Sequence, residues 1–306
     1  MLRRDLASAN GDMMVDLQGR FAWYELLTTD MAAARDFYAS VVEWTAQDAA
    51  DPRFAYSVFA AGEMQVAGLM ELPPDGRKMG ASPRWVGYVA VDDLDAAVDR
   101  LERLGGAVYV PPTETNIGRI AIVTDPQKAT LALAEGLKLD RRAVEMDEPG
   151  HVGWHELLAV DAKTAFAFYS EVFGWQRADS EANPMESYQL LSAGGRLIGG
   201  MFTKLPFLPL PFWLYYFNVT DVGVAAKRVV AGGGRIMQGP NELPGVGWIA
   251  WCMDPQGAMF GLQGAASQDV VERLSELKLG WSAAWGGFES RGKLVANPAS
   301  KPTRKR

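Results

Sequence analysis

Few side chains here could do chemistry: the 306 residues hold two histidines and one cysteine. His151 and His155 have a spacing that shares one face of a helix, but residues 151–158 read as a strand. There, four residues put them roughly 13 Å apart, too far to share an ion. They read as half-buried or surface histidines. Cys252 lies in an apolar stretch with no thiol or histidine near it in sequence, and reads as a small core residue. Carboxylates are better candidates. Glu25 occurs in Trp23-Tyr24-Glu25-Leu26-Leu27 and Glu156 in Trp154-His155-Glu156-Leu157-Leu158. Strand propensity disfavours a glutamate in mid-strand, so its repetition within one chain is informative. Burial among aromatic rings would raise the pKa of such a carboxyl, which suits a general base or an anchor for a cationic ligand. The structural alternative is a glutamate paired with an arginine such as Arg84, or one capping backbone amides.

Tryptophan and tyrosine recur beside them. Trp23, Trp85, Trp154, Trp213 and Trp248, with Tyr88 and Tyr215, could floor pockets for a planar or cationic small molecule, or could fill cores. Trp44 and Trp175, each ending a first helix, read as packing residues.

The elements that must position these residues come in two copies. The Glu25 pentad and Phe37-Tyr38 with Trp44 recur 131 residues later as the Glu156 pentad and Phe168-Tyr169 with Trp175. With small slips, Trp85 then matches Trp213, Gly105-Gly106 matches Gly233-Gly234, and Asp125-Pro126-Gln127 matches Asp254-Pro255-Gln256. Residues 18–136 form the first module and 150–264 the second, joined by a linker at 137–149 with seven charged residues. Residues 1–17 read as a loose leader. In 265–306 the spacing of Val270, Val271, Leu274 and Leu277 predicts an amphipathic helix, followed by Trp281, Trp285 and Phe288 and a basic tail. Within a module, a strand precedes a helix capped by Thr29 or Asp30. Strands at 56–59 and 65–70 follow around an Ala61-Gly62 turn, then a strand from Trp85 and a helix capped by Asp92 or Asp93. Last come strands near Val108 and at 120–124 and 130–134, the final two joined at Asp125-Pro126.

Composition narrows the class. Hydrophobic residues at 48% and charged residues at 22% are those of a globular protein with a real core. A net charge of −7 offers nucleic acid no positive field, so none is expected as partner. The apolar stretch 205–219 is short for a membrane span and carries three prolines, so it reads as a loop entering a strand. One cysteine fits a cytoplasmic setting.

Paired βαβββ units, Phe-Tyr in the first helices, Val91-Asp92-Asp93-Leu94 opening the second and a late Asp-Pro turn resemble the vicinal oxygen chelate superfamily of glyoxalases, bleomycin-resistance proteins and extradiol dioxygenases. The resemblance covers residues 18–264 and implies an α+β fold, four βαβββ units forming two tandem modules with cup-shaped mixed sheets. Because two modules can close on each other internally, a monomer or weak homodimer is expected. Metal-using members bind a divalent ion in each cup. Their ligand positions fall here at Trp23, at Trp85 or Val86, and at Ala132; in the second copy they fall at Trp154, at Trp213 or Leu214, and at Gly261. None can bind metal, and Glu71 alone is a ligand type near an expected place. No metal or other cofactor is therefore expected. If Trp23 and Trp154 take the ligand positions in the cups, alternation brings Glu25 and Glu156 in beside them and turns Tyr24 and His155 toward the helices. The first expectation is a protein binding a small organic molecule in metal-free, tryptophan-lined cups. The alternatives are a metal-independent lyase, isomerase or hydrolase with Glu25 or Glu156 as base, a metal-dependent glyoxalase or dioxygenase, and an interaction scaffold.

Overall fold

The computed structural model describes residues 17–49, 55–78, 80–138, 148–178, 188–206, 208–243 and 247–267. The expected leader, most of the linker, and the C-terminal helix with its aromatic residues and basic tail lie outside the described residues.

The first sheet is built from β1 (Phe21–Thr28), α1 (Met31–Val42), β2 (Thr45–Asp48), β3 (Tyr56–Ala61), β4 (Met64–Glu71) and a short α2 (Pro74–Lys78). It continues with β5 (Arg84–Ala90), α3 (Leu94–Arg103), β6 (Ala107–Glu114), β7 (Arg119–Thr124) and β8 (Thr130–Glu135). The second is built from β9 (Val152–Ala159), α4 (Ala162–Phe173), β10 (Gln176–Ala178), β11 (Gln189–Ala193) and β12 (Arg196–Thr203). After these come β13 (Phe212–Val219), α5 (Val222–Ala231), β14 (Arg235–Leu243), β15 (Gly247–Met253) and β16 (Met259–Gly264). Each sheet has eight strands, in the orders β2-β3-β4-β1-β5-β8-β7-β6 and β10-β11-β12-β9-β13-β16-β15-β14. Each is therefore two βαβββ units joined through an antiparallel pair, β1 with β5 and β9 with β13. The fold is α+β, two tandem modules with mixed sheets, as the resemblance implied.

Aspartate caps open the helices. Asp30 and Asp93 accept from the amides of Ala33 and Ala96, and Asp161 and Asp221 do the same in the second module. Short strands β2 and β10 and helix α2 carry too little periodic pattern to read from sequence.

Both sheets turn their helix-bearing faces inward into one shared core. There α1 packs on α5 and α3 on α4. The motifs that revealed the repeat hold this junction together. Trp85 Nε1 donates to Tyr38 Oη (2.8 Å), which donates to Asp254 of the other module (3.2 Å). Trp213 donates to Tyr169 (3.2 Å), which donates to Asp125 (3.0 Å). Trp44 and Trp175 donate across the junction to the carbonyls of Gly150 (2.7 Å) and Gly19 (2.6 Å). At the centre the Gly87 amide donates to Tyr215 Oη (2.7 Å), and a Cβ on Gly87 would lie 2.6 Å from that ring. The opposite face of each sheet, the cup, holds a separate smaller apolar cluster.

Candidate functional site

Each cup is centred on the strand carrying the repeated pentad. In the first, Glu25 lies opposite Val86 and beside Gly68, while Trp23 lies opposite Tyr88. A side chain at position 68 would collide with Tyr56 and Glu25, so the glycine makes room for their contact. Glu25 is 7% exposed and accepts from Tyr56 (2.8 Å) and Tyr88 (2.5 Å). Burial raises its pKa, and the tyrosine hydrogen bonds pull only partly the other way. Trp23 Nε1 has no well-aligned acceptor, although its nearness to Glu25 lowers the pKa of that carboxyl.

The second cup repeats the arrangement with changes. Glu156, also 7% exposed, accepts from Tyr216 (2.6 Å) and is hydrogen-bonded to Tyr188, which accepts from Trp154 Nε1 (2.9 Å). Trp251 Nε1 donates to Tyr216 Oη. Burial pushes the Glu156 carboxyl up to about 7 against the lowering effect of both tyrosines. Each cup thus holds a buried carboxyl that two phenols support and whose pKa burial raises, and in the second cup that carboxyl is ready to exchange a proton near neutrality. Arg84, a candidate partner for Glu25, donates instead to the Ser82 carbonyl (3.0 Å).

Of the residues expected in the cups, Trp23, Glu25, Tyr88, Trp154 and Glu156 are there. Trp85, Trp213 and Tyr215 face the shared core instead, and Trp248 packs against it. The reason is register: opposite residues of a ladder share a face, and Trp85 and Trp213 sit opposite the inward Leu26 and Leu157. Tyr216, one residue on, is the true counterpart of Tyr88. Tyr56, Tyr188 and Trp251 were not anticipated. Extending the repeat would have found the first two, since Tyr56 and Gly68 recur as Tyr188 and Gly200 at one offset.

Tyr24 and His155 meet in the shared core, Oη to Nε2 at 2.6 Å, and Phe21 stacks on the imidazole at 4.2 Å. His155 Nδ1 bonds the Ile198 carbonyl, an acceptor only, so Nε2 accepts from Tyr24 and burial drives the pKa down to about 4. His151 is buried too, and its ring nitrogens have no hydrogen-bond partner among the described residues, while burial in the core pushes the Cys252 thiol up. An open groove of about 350 Å³ at the module junction, lined by residues such as Pro126, Gln127 and Phe168, touches neither glutamate.

The expected metal positions converge. Trp23, Val86 and Ala132 share one cup cluster; Trp154 and Leu214 share the other, where Gly261 meets the Tyr216 ring. None offers a lone pair, and Glu71 pairs with Arg77 instead. Among the described residues no group of three or more His, Cys, Asp or Glu side chains could hold an ion. The residues present do not fit a metal.

The model of the Glyoxalase/Bleomycin resistance protein/Dioxygenase superfamily matches residues 20–133 and again 149–262. CFP32 of Mycobacterium tuberculosis (strain CDC 1551 / Oshkosh), provisionally named a glyoxylase, is 35% identical over 82% of this chain and 97% of its own length. The anthracycline biosynthesis protein DnrV of Streptomyces peucetius is 29% identical over 88% and 97%. The Mn(II)-bound glyoxalase from Novosphingobium aromaticivorans superposes with a TM-score of 0.56 at 17% identity, covering 82% of this chain and 83% of that one. The 2,3-dioxygenase LapB from Pseudomonas sp. KL28 gives 0.58 at 12%, covering 82% and 94%. Likeness at such identities speaks for fold alone. Two matches of the family model, each spanning one eight-stranded sheet, make this chain a member of the Glyoxalase/Bleomycin resistance protein/Dioxygenase superfamily.

Proposed function

We propose that the chain binds a small organic molecule in metal-free cups, with Glu25 and Glu156 as the polar anchors and Trp23, Tyr88 and Trp154 among the walls. The observation that carries this reading is the buried carboxyl in each cup, held by two tyrosines and, among the described residues, by no basic side chain. Evolution of a mere core would favour an apolar residue there, since burying a carboxyl is costly. Relatives named for glyoxylase and anthracycline biosynthesis fit a small-molecule partner. We place the protein in the cytoplasm, acting without nucleic acid. Among the described residues no helix is long and apolar enough to cross a membrane.

A second reading, a metal-independent lyase, isomerase or hydrolase, is favoured by the Glu156 pKa of about 7, which leaves both proton donor and acceptor forms populated at neutrality. The test is a ligand panel followed by tryptophan quenching, with Glu25→Gln and Glu156→Gln. Loss of affinity in a variant that still unfolds cooperatively supports the reading, and both variants binding like the parent refute it. Turnover of a bound compound, lost in Glu156→Gln and insensitive to chelator, selects the catalytic version.

A further inference from the structure

The two cups share a buried glutamate and its two tyrosines and differ in the residues around them. In the first, Trp23 is 2% exposed, and Ile117, Ile122 and Leu137 pack with it and Tyr88. Its unpaired indole N–H is sealed inside. In the second, Trp154 is only half-buried. Register identifies the replacements: Phe202 stands opposite Leu158 where Met70 stands opposite Leu27, and Trp251 stands opposite Gly261 where Ile122 stands opposite Ala132. Asn218 and Gln263, bonded to each other at 2.7 Å, take the positions of Ala90 and Ala134.

These changes build a wall. Tyr188 and Phe202 lie with centroids 6.1 Å apart and planes 25° apart, and Phe202 and Trp251 follow at 6.3 Å and 23°. Near-parallel rings at that separation are offset sideways, so they tile a surface rather than stack into a column. Met237 and Met259 pack with the same cluster and supply polarisable, adaptable surface. The hydrogen-bond chain from Trp251 through Tyr216 to Glu156 sets a carboxyl against this wall.

We infer that the second cup alone is the ligand cup, and that it takes a flat, fused-ring aromatic molecule carrying hydroxyl or carbonyl oxygens. The ring system lies on the tiled wall and the oxygens meet Glu156 and the Asn218–Gln263 amides. This rests on the proposal that a cup binds a small molecule, and narrows it to one cup and one chemical class.

The experiment is calorimetric titration of the full chain with 1,4-dihydroxyanthraquinone and, as a flexible aliphatic control, the hemithioacetal of methylglyoxal and glutathione. One anthraquinone per chain is expected. Phe202→Leu and Trp251→Leu should each weaken it at least tenfold, Phe202→Tyr should restore it, and Met70→Ala and Ile122→Ala at the matching first-cup positions should change it less than twofold. Melting temperatures of all variants separate lost binding from lost folding. Two sites per chain, equal weakening by variants in both cups, or binding that no variant moves would overturn the inference. Binding of the hemithioacetal but not the anthraquinone would overturn it and leave the cup reading standing. If neither these probes nor any compound of the ligand panel binds, both fall.

Discussion

Glu156 and His155 are adjacent in β9 and face opposite sides of the sheet, so one strand carries two buried groups with opposite pH dependence. Glu156 holds its proton up to about pH 7 in the fold but only to its ordinary carboxyl value when unfolded. Its contribution is therefore fully present below that ordinary value and is lost as pH rises toward 7, by about 3 kcal/mol in all. In urea titrations between pH 5 and 8 the fall should show in full in the double variant Tyr24→Phe/His155→Phe, which lacks the opposing histidine, and adding Glu156→Gln should flatten it. His155 runs the other way. Its pKa of about 4 lies below the unfolded value, so stability falls by about 3 kcal/mol as pH drops from the ordinary histidine range toward 4. The two windows overlap, so the parent should be nearly flat between about pH 4.5 and 6.5, and Glu156→Gln alone should expose the acid sensitivity of the histidine. Sequence made the glutamates legible because they repeat beside tryptophan. It could not separate Tyr215 from Tyr216, since a shift of one residue changes the face and only the ladder opposite Trp154 fixes it.

At the level of elements, strands β5 and β13 meet across the junction through Gly87 and Tyr215, with no slack. Gly87→Ala puts a methyl 2.6 Å from the Tyr215 ring and 2.8 Å from Phe21. It should cost about 1–3 kcal/mol by overpacking, read as a lowered urea midpoint at unchanged slope. The two tyrosine bonds between modules reach different aspartates. Tyr38→Phe and Tyr169→Phe each take a donor from a buried aspartate and an acceptor from a buried indole, so each should cost about 1–3 kcal/mol and add in the double variant, because they bond different turns. A coupling well above 0.5 kcal/mol would show that the junction yields as one unit. The helices and most strands were readable from aspartate caps, glycine turns and alternation. What faced what was not. Trp85 and Trp213 look alike whether they floor a pocket or bind a tyrosine across a junction, and only the pairing with Leu26 and Leu157 decides it.

For the whole molecule, one core serves both sheets, so neither module can be removed without stripping the other. A fragment of residues 17–138 should expose α1, α3 and the inner face of its sheet. In light scattering it should pair with a second copy or aggregate, whereas the full chain should run as a single copy of 33.4 kDa. A soluble, monomeric fragment would contradict the shared core. The reciprocal bonds, Tyr38 to Asp254 and Tyr169 to Asp125, have the symmetry of a dimer drawn within one polypeptide. In a dimer of identical chains every substitution is made twice, and a change that improves one cup is forced on the other. Joining the halves in one reading frame removes that constraint. Mutation can then remodel one cup, as Phe202 and Trp251 have remodelled the second relative to Met70 and Ile122, while the other half is left to keep the pair folded.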